Sequence, residues 1–254
     1  MRYLHGGTPR PSGGDERICV RVSVIIPTHN EAQAIGRVLV DLPSDLITEV
    51  IVVDSNSTDG TPDLARRMGA HVIHEPRRGY GRACLTGLAN AQDPDVVVFL
   101  DGDYSDRPSE LPILLAPILE GRADITLGSR LSSRSNRGTL PWHQSFGNRL
   151  AAGLIRLLYG VRISDLGPFR AGRADVLRAL ALEETTYGWA VEMILKGAVA
   201  GFRVVEVPVS YYPRIGKSKI SGTLKGTVGA AWFIFSLIVR YYLRRRTAGT
   251  PRPA

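Results

Sequence analysis

Cysteine is nearly absent from this 254-residue sequence, and two thiols, Cys19 and Cys84, cannot build a disulfide framework. Neither sits in metal-site spacing, so they read as an incidental thiol and a small apolar filler in a reducing compartment. There is no uninterrupted apolar run of about twenty residues, the length a full membrane span needs, and no internal repeat. The stretch Met1–Arg17 is rich in Gly, Pro and Arg and has no apolar core, which argues for a loose tail over a secretory leader. Acidic charge is in deficit, with 24 Asp and Glu against 32 Lys and Arg and a net charge of +8. That imbalance favours anionic partners such as nucleic acid, acidic lipid headgroups or phosphorylated substrates. The basic residues are scattered and no recognition motif accompanies them, which disfavours nucleic acid. What remains is ordinary globular composition, 44% hydrophobic and 22% charged.

The first half alternates between two periodicities. Val22–Ile26, Val50–Val53, His71–His74 and Val96–Leu100 are short apolar or β-branched runs, and the last is uninterrupted, as for a strand buried on both faces. Between them, Ile35, Val38, Leu39 and Leu42 recur at helical spacing, Thr61-Pro62 reads as a cap followed by proline at the first helical position, and Arg82–Ala91 carries small apolar residues on one face. A further helix begins at Pro108 and a further strand covers Asp124–Leu127. The second half offers helices near Trp142–Tyr159 and Trp189–Ala200, a loop at Asp165–Arg170, a strand at Arg203–Val207 and an aperiodic basic stretch, Tyr211–Gly222. The fold class is α/β: an open, mostly parallel sheet of right-handed crossovers flanked by helices. We expect a tail over 1–20, a catalytic domain over 21–222, a C-terminal helix over 223–246 and a second tail over 247–254.

That C-terminal helix contains thirteen uncharged residues, Thr227–Val239, flanked by Lys225 and by Arg240, Arg244, Arg245 and Arg246. It is short for a span and suits a membrane-associated amphipathic or hydrophobic segment lying among anionic headgroups. A helix buried in the protein or in a dimer interface is the alternative.

In open parallel sheets, ligands bind beyond the carboxyl ends of the strands. Three acidic clusters fall there: Pro27-Thr-His-Asn30-Glu31, Asp54-Ser-Asn-Ser-Thr-Asp59-Gly60 and Asp101-Gly102-Asp103. Residues i and i+2 of an extended segment point the same way, so Asp101 and Asp103 can face one Mg²⁺ or Mn²⁺, with Gly102 admitting a ligand. A hard cation held by two carboxylates leaves positions for substrate phosphates. Asp54 can accept from a base or a ribose hydroxyl. Gly79 and Gly81 beside Arg82, at a helix start, can hold phosphate.

Taken in order, Val22–Glu31, Ile51–Asp54 with Thr58–Thr61, Gly79-Tyr-Gly81, Asp101-Gly-Asp103, Gly128-Ser-Arg130, Asp165–Arg170 and Gly216-Lys217-Ser-Lys219 resemble the family 2 glycosyltransferases of GT-A fold, especially the dolichyl-phosphate mannose and glucose synthase branch. The resemblance implies that Pro27, Asn30, Glu31 and Asp54 line a nucleotide pocket. It implies too that Asp101 and Asp103 hold metal and diphosphate, and that Arg130, Arg170, Arg214, Lys217 and Lys219 face the acceptor phosphate or the donor diphosphate. Asp165 and Arg170 would shape the acceptor side. Some relatives carry a Gln two residues after the second Asp; here it is Ser105.

The implied reaction is inverting transfer of a hexose from UDP-glucose or GDP-mannose to a polyprenyl phosphate, at the cytoplasmic face of the cell membrane. A phosphate acceptor is already an anion and needs cations more than a base. A hydroxyl acceptor needs a base, for which Asp165 and Glu192 are the candidates; Glu192 reads equally as a surface carboxylate paired with Lys196. The rivals are a same-fold transferase with a soluble acceptor, a nucleotidyltransferase and a non-catalytic nucleotide-sugar-binding membrane module.

Overall fold

The computed structural model of the protein describes residues 20–132, 142–216 and 224–247. Seven strands form one sheet: β1 Val22–Thr28, β2 Glu49–Asp54, β3 His71–His74, β4 Val96–Phe99, β5 Ile125–Ser129, β6 Arg170–Arg173 and β7 Val204–Pro208. Their spatial order is β3-β2-β1-β4-β6-β5-β7. The pairings β3–β2, β2–β1, β1–β4 and β5–β7 are parallel, whereas β6 is antiparallel to both β4 and β5. Helices α1 Ile35–Val40, α2 Thr61–Arg67, α3 Tyr80–Asn90, α4 Leu111–Leu119, α5 Trp142–Tyr159, α6 Ala174–Ala179, α7 Trp189–Val199 and α8 Leu224–Thr247 flank it.

Strand alternation sorts the core into two layers. From β1 and β4, Val22, Val24, Ile26, Val96 and Val98 pack in one layer with Ile35 and Val38 of α1, Ala65 of α2 and Leu111 and Leu114 of α4. Ile25, Val97 and Phe99 face the other layer, against Ala83 and Cys84 of α3, Ile155 of α5 and Trp189 and Met193 of α7. With both faces covered, β4 is apolar throughout, and Cys84 is the buried filler that its neighbours suggest.

Three expectations change. Gly60, at a φ of 87°, is the cap of α2, a left-handed turn that favours glycine. Thr61 is the first helical residue, and its hydroxyl ties two loops instead, donating to Asp59 Oδ1 and accepting from Glu31 N. The stretch read as ending a loop at Arg170 enters a strand there, β6, wedged between β4 and β5.

The C-terminal helix packs against α5 and α7. Leu237 and Ile238 of α8 are buried in the same layer as α5 and α7, and the Tyr159 hydroxyl of α5 donates to the Ile238 carbonyl at 2.7 Å. Among the described residues no helix is long and apolar enough to cross a membrane.

Candidate active site

The carboxyl ends of β1, β2 and β4 open onto a cleft of about 650 Å³, lined by Pro27, His29, Glu31, Ser55, Gly79, Tyr80, Asp101, Asp103, Arg130, Tyr187, Tyr211 and Arg214 among others. A second hollow of about 410 Å³, lined by Arg21, Ser23, Glu49 and His71 among others, lies away from the acids at the strand ends. The strand-end rule selects the first.

At the strand ends, the loops after β1 and β2 are knitted together. Asn30, at a φ of 53°, accepts from Thr58 N at 2.8 Å and donates its own N–H to Ser57 Oγ, and Ala32 N donates to Asp59 Oδ2. Asp54 is buried at the end of β2, where Ser57 N donates to Oδ2 at 3.0 Å and Thr28 Oγ1 to Oδ1 at 3.4 Å. Asn30 and Asp54 thus shape the loops that line the cleft, while Pro27, Glu31 and Ser55 face it.

The glycines at the start of α3, Gly79 at its cap and Gly81 in its first turn, work differently from a phosphate cradle. Gly81 N and Arg82 N, the donors expected to meet an anion, are taken by the carbonyls of Thr186 and Thr185 at 3.1 and 3.0 Å. A Cβ on Gly79 would collide with Thr185 O, and one on Gly81 with Glu184 O and Trp189 Cβ. These glycines admit the backbone of residues 184–186, and Gly79 and Tyr80 still line the cleft beside Arg78.

At its floor, residues 102–105 turn instead of running extended, with Tyr104 at a φ of 61°. Asp103 Oδ1 accepts from Ser105 N at 2.9 Å, a local turn that a short carboxylate supports. Both carboxylates line the cleft nonetheless. Gly102 is required by packing as well as by access, since a Cβ there would lie 2.9 Å from Thr28 Cγ2. Burial, then the neighbouring Asp103 charge, pushes the Asp101 carboxyl up to about 7. Asp106, fully buried, is pushed well above its ordinary value by burial and by Asp101.

Among the described residues no group of three His, Cys, Asp or Glu is placed to hold an ion. The oxygen pair Asp101 and Asp103 can hold a hard cation that takes its remaining ligands from water and a diphosphate. A cation entering there must displace the Asp101 proton, so affinity for Mn²⁺ in the presence of nucleotide is expected to fall about ten-fold from pH 8 to pH 6. Electron paramagnetic resonance of free Mn²⁺ measures it; a flat profile over that range removes the proton linkage.

The wall around Arg130 and Arg170 is basic but heavily paired. Arg130 Nε and Nη2 grip Asp165 at 2.7 and 2.9 Å, Arg130 N donates to it at 3.0 Å, and Asn148 and Leu166 N donate as well. Burial alone would raise the Asp165 carboxyl; the Arg130 charge and these donors outweigh it and hold the group below its ordinary value. Asp165 is therefore held as an anion by these partners. Arg170 is corrected more strongly. It is 1% exposed, its guanidinium donates to the Gly167 and Ala190 carbonyls, and burial pulls it down to about 10. It braces the wall from behind, joining two backbone segments beside the cleft.

Arg214 lies beside the strand-end acids, 2.8 Å from Glu31 and 3.5 Å from Asp103. Lys217 and Lys219 lie outside the described residues. Glu192 is a buried knot: it pairs with Lys196 at 2.9 Å as the spacing suggests, but also accepts from Glu183 N, Glu184 N and the Tyr241 hydroxyl. His29 lines the cleft with Nδ1 buried and unpartnered among the described residues, a placement not singled out from the sequence. Its position inside the first acidic cluster was the available signal.

A cleft floored by paired acids and walled by arginines, at the carboxyl edge of a parallel sheet, is built for transfer from an activated anionic donor. The chain belongs to glycosyl transferase family 2, whose sequence model matches residues 23–181, and it is a glycosyltransferase. It is 34% identical over 224 residues to the undecaprenyl-phosphate mannosyltransferase of Micrococcus luteus, covering 82% of this chain and 90% of that one. Against the dolichyl-phosphate hexose transferase of Haloferax volcanii it is 36% identical over 202 residues, 78% and 86% of the two chains. Glucosyl-3-phosphoglycerate synthase of Mycobacterium tuberculosis, solved with Mn²⁺, uridine diphosphate and glucosyl-3-phosphoglycerate, matches with a TM-score of 0.69 at 22% identity, over 92% of this chain and 86% of that one. That likeness establishes the shared GT-A-type fold.

Proposed function

We propose that this glycosyltransferase moves a hexose from UDP-glucose or GDP-mannose to a polyprenyl phosphate, with inversion, at the cytoplasmic face of the cell membrane. The observation that carries the lipid acceptor is a stripe across α5 and α8. On α5, Phe146, Leu150 and Leu157 are exposed at i, i+4 and i+11; on α8, Trp232, Val239 and Leu243 repeat the pattern at i, i+7 and i+11. Leu157 is 79% exposed and Trp232 76%. Exposed Arg149, Arg156, Arg240 and Arg244 share these faces, and neither helix contains an acidic residue. Apolar side chains interleaved with charge of one sign suit an anionic bilayer surface. The two helices also adjoin the cleft, since Phe233 of α8 meets Tyr187 edge to face with ring centroids 5.1 Å apart, and Asn148 of α5 donates to Asp165. The names of the Micrococcus and Haloferax relatives support the same acceptor class.

The engaged carboxylates favour the same reading. Asp165 and Glu192, the candidate bases for a hydroxyl acceptor, are both tied up, whereas a phosphate acceptor needs no proton removed. One acceptor phosphate oxygen attacks the anomeric carbon, the bond from that carbon to the diphosphate breaks, and the nucleoside diphosphate leaves with the electron pair. Mg²⁺ or Mn²⁺ on Asp101 and Asp103 would supply Lewis-acid neutralisation of the departing diphosphate. Arg214 adds positive charge beside that floor, and Arg130, held rigid by Asp165, presents positive charge to the acceptor side.

The test uses Leu157→Glu with Trp232→Glu. Removing two exposed apolar anchors is expected to weaken sedimentation with anionic vesicles at least about ten-fold. Turnover on vesicle-borne polyprenyl phosphate should fall in parallel, and turnover on a short water-soluble prenyl phosphate should hold. Unchanged vesicle binding, or wild-type turnover confined to a soluble acceptor such as phosphoglycerate, sinks the proposal; concentration-dependent dimerisation lost in the variant would reassign the stripe to a second copy.

A further inference from the structure

Residues 211–215 run back across the acidic turn that follows β4. The seam is made by backbone: Tyr212 N donates to Ser105 O at 2.9 Å, Ile215 N donates to Asp103 O at 3.0 Å, and Asp106 and Tyr211 form an isolated antiparallel bridge. Side chains reinforce it, with the Arg107 guanidinium 3.8 Å from the Tyr212 ring centroid and 4.4 Å from that of Tyr104. Any shift of the Asp103 turn is thereby transmitted to this segment.

From that seam Arg214 reaches the donor carboxylates, and its links are unequal. Nη2 donates to Glu31 Oε1 at 2.8 Å, a charge-assisted hydrogen bond, while Nη1 stands 3.5 Å from Asp103 Oδ2, an ion pair too long to be a good one. Asp103 Oδ1 is already held by Ser105 N. The oxygen open to a metal ion is therefore Oδ2, where Arg214 rests loosely. Two cations at one carboxylate oxygen repel, so they compete. Arg214 Nε is buried without a partner among the described residues, a donor still to be satisfied by an anion.

We propose that Arg214 and the divalent cation compete for Asp103, and that a cation–diphosphate pair releases the guanidinium from Asp103 onto the diphosphate while Glu31 keeps hold of it. Arg214 then touches the donor itself, handed from Asp103 to the diphosphate with its link to Glu31 intact. This rests on the glycosyl-transfer reading only in taking Asp101 and Asp103 as the cation site.

The experiment titrates Mn²⁺ into the full chain, with and without uridine or guanosine diphosphate, for wild type, Arg214→Ala and Arg214→Lys, following free Mn²⁺ by electron paramagnetic resonance. Removing a cation beside a ligand carboxylate should tighten binding of Mn²⁺ alone about ten-fold in Arg214→Ala. With the preferred nucleotide the order should reverse, because the variant lacks the donor to the diphosphate. Arg214→Lys, which keeps the charge, should fall between. A purely structural role would lower both affinities together and lower the melting temperature. If Mn²⁺ alone binds Arg214→Ala no tighter than wild type, or nucleotide enhances all three proteins equally, the competition is wrong while the transferase reading stands. If wild type binds no Mn²⁺ with either nucleotide, the cation site fails and the competition with it.

Discussion

Asp103→Asn is expected to lower turnover about a thousand-fold, because losing roughly 4 kcal/mol of charge stabilisation at the departing diphosphate amounts to three decades in rate. The amide keeps the Oδ1 acceptor that Ser105 N uses, so the turn should survive. Asp101→Asn separates catalysis from folding more sharply. The folded Asp101 carboxyl sits near 7, raised by burial and by Asp103. A carboxyl raised on folding stabilises the fold fully below its unfolded value and loses that contribution as pH rises through its folded value. At pH 8 the wild type bears the cost of ionising Asp101 and the variant does not. The variant should melt a few degrees higher at pH 8 than wild type, with little difference at pH 4, while turnover is lost. Scanning calorimetry at both pH values with release of nucleoside diphosphate checks the pair; a variant that melts lower and is inactive would mean the residue serves the fold.

Removing Arg130 should be the most damaging single change to stability. Asp165 has a side chain 0% exposed and takes three of its hydrogen bonds from Arg130; the backbone donor survives Arg130→Ala, the two guanidinium donors do not. Leaving a buried carboxylate short of its partner costs about 3–5 kcal/mol, which for a domain of this size lowers the melting temperature by on the order of ten degrees. Because the folded Asp165 carboxyl is held below its ordinary value, the pair contributes above the unfolded carboxylate value of about 3.9 and is lost as pH falls below it. The gap between wild type and Arg130→Ala should therefore persist through neutral pH and narrow only in acid. Arg130→Met with Asp165→Leu should recover most of the stability without recovering turnover. A double variant as unstable as the single one would show that the pair's geometry, not its charge, holds the acceptor wall.

The parallel half of the sheet was legible because β1, β2 and β4 are buried on both faces, and only β-branched or aromatic runs such as Val96–Phe99 fill such positions. The acids of the site were legible from where they fall, just past those strands. Strand β6 was not: Arg170-Ala-Gly-Arg173 has no apolar run, and its place between β4 and β5 is set by backbone pairing from distant segments. Arg170 misled for a related reason. A guanidinium in a motif suggests an anion, and nothing local shows that the Gly167 and Ala190 carbonyls will converge on it. Gly79 and Gly81 had the same ambiguity. Small residues before a helix admit a phosphate or another chain segment equally well, and here the segment is 184–186, far away in sequence. Residues 211–216 showed no periodicity because backbone bonds to the turn after β4 fix them in place of a buried face.

The hold that Glu192 keeps on Tyr241, and Tyr187 on Phe233, makes the C-terminal helix a lodger in the catalytic wall. It is not an interchangeable tether. A chimera that borrows this helix from a relative would have to import residues 183–192 along with it, and the two stretches should drift through evolution as a unit although residues 193–223 separate them.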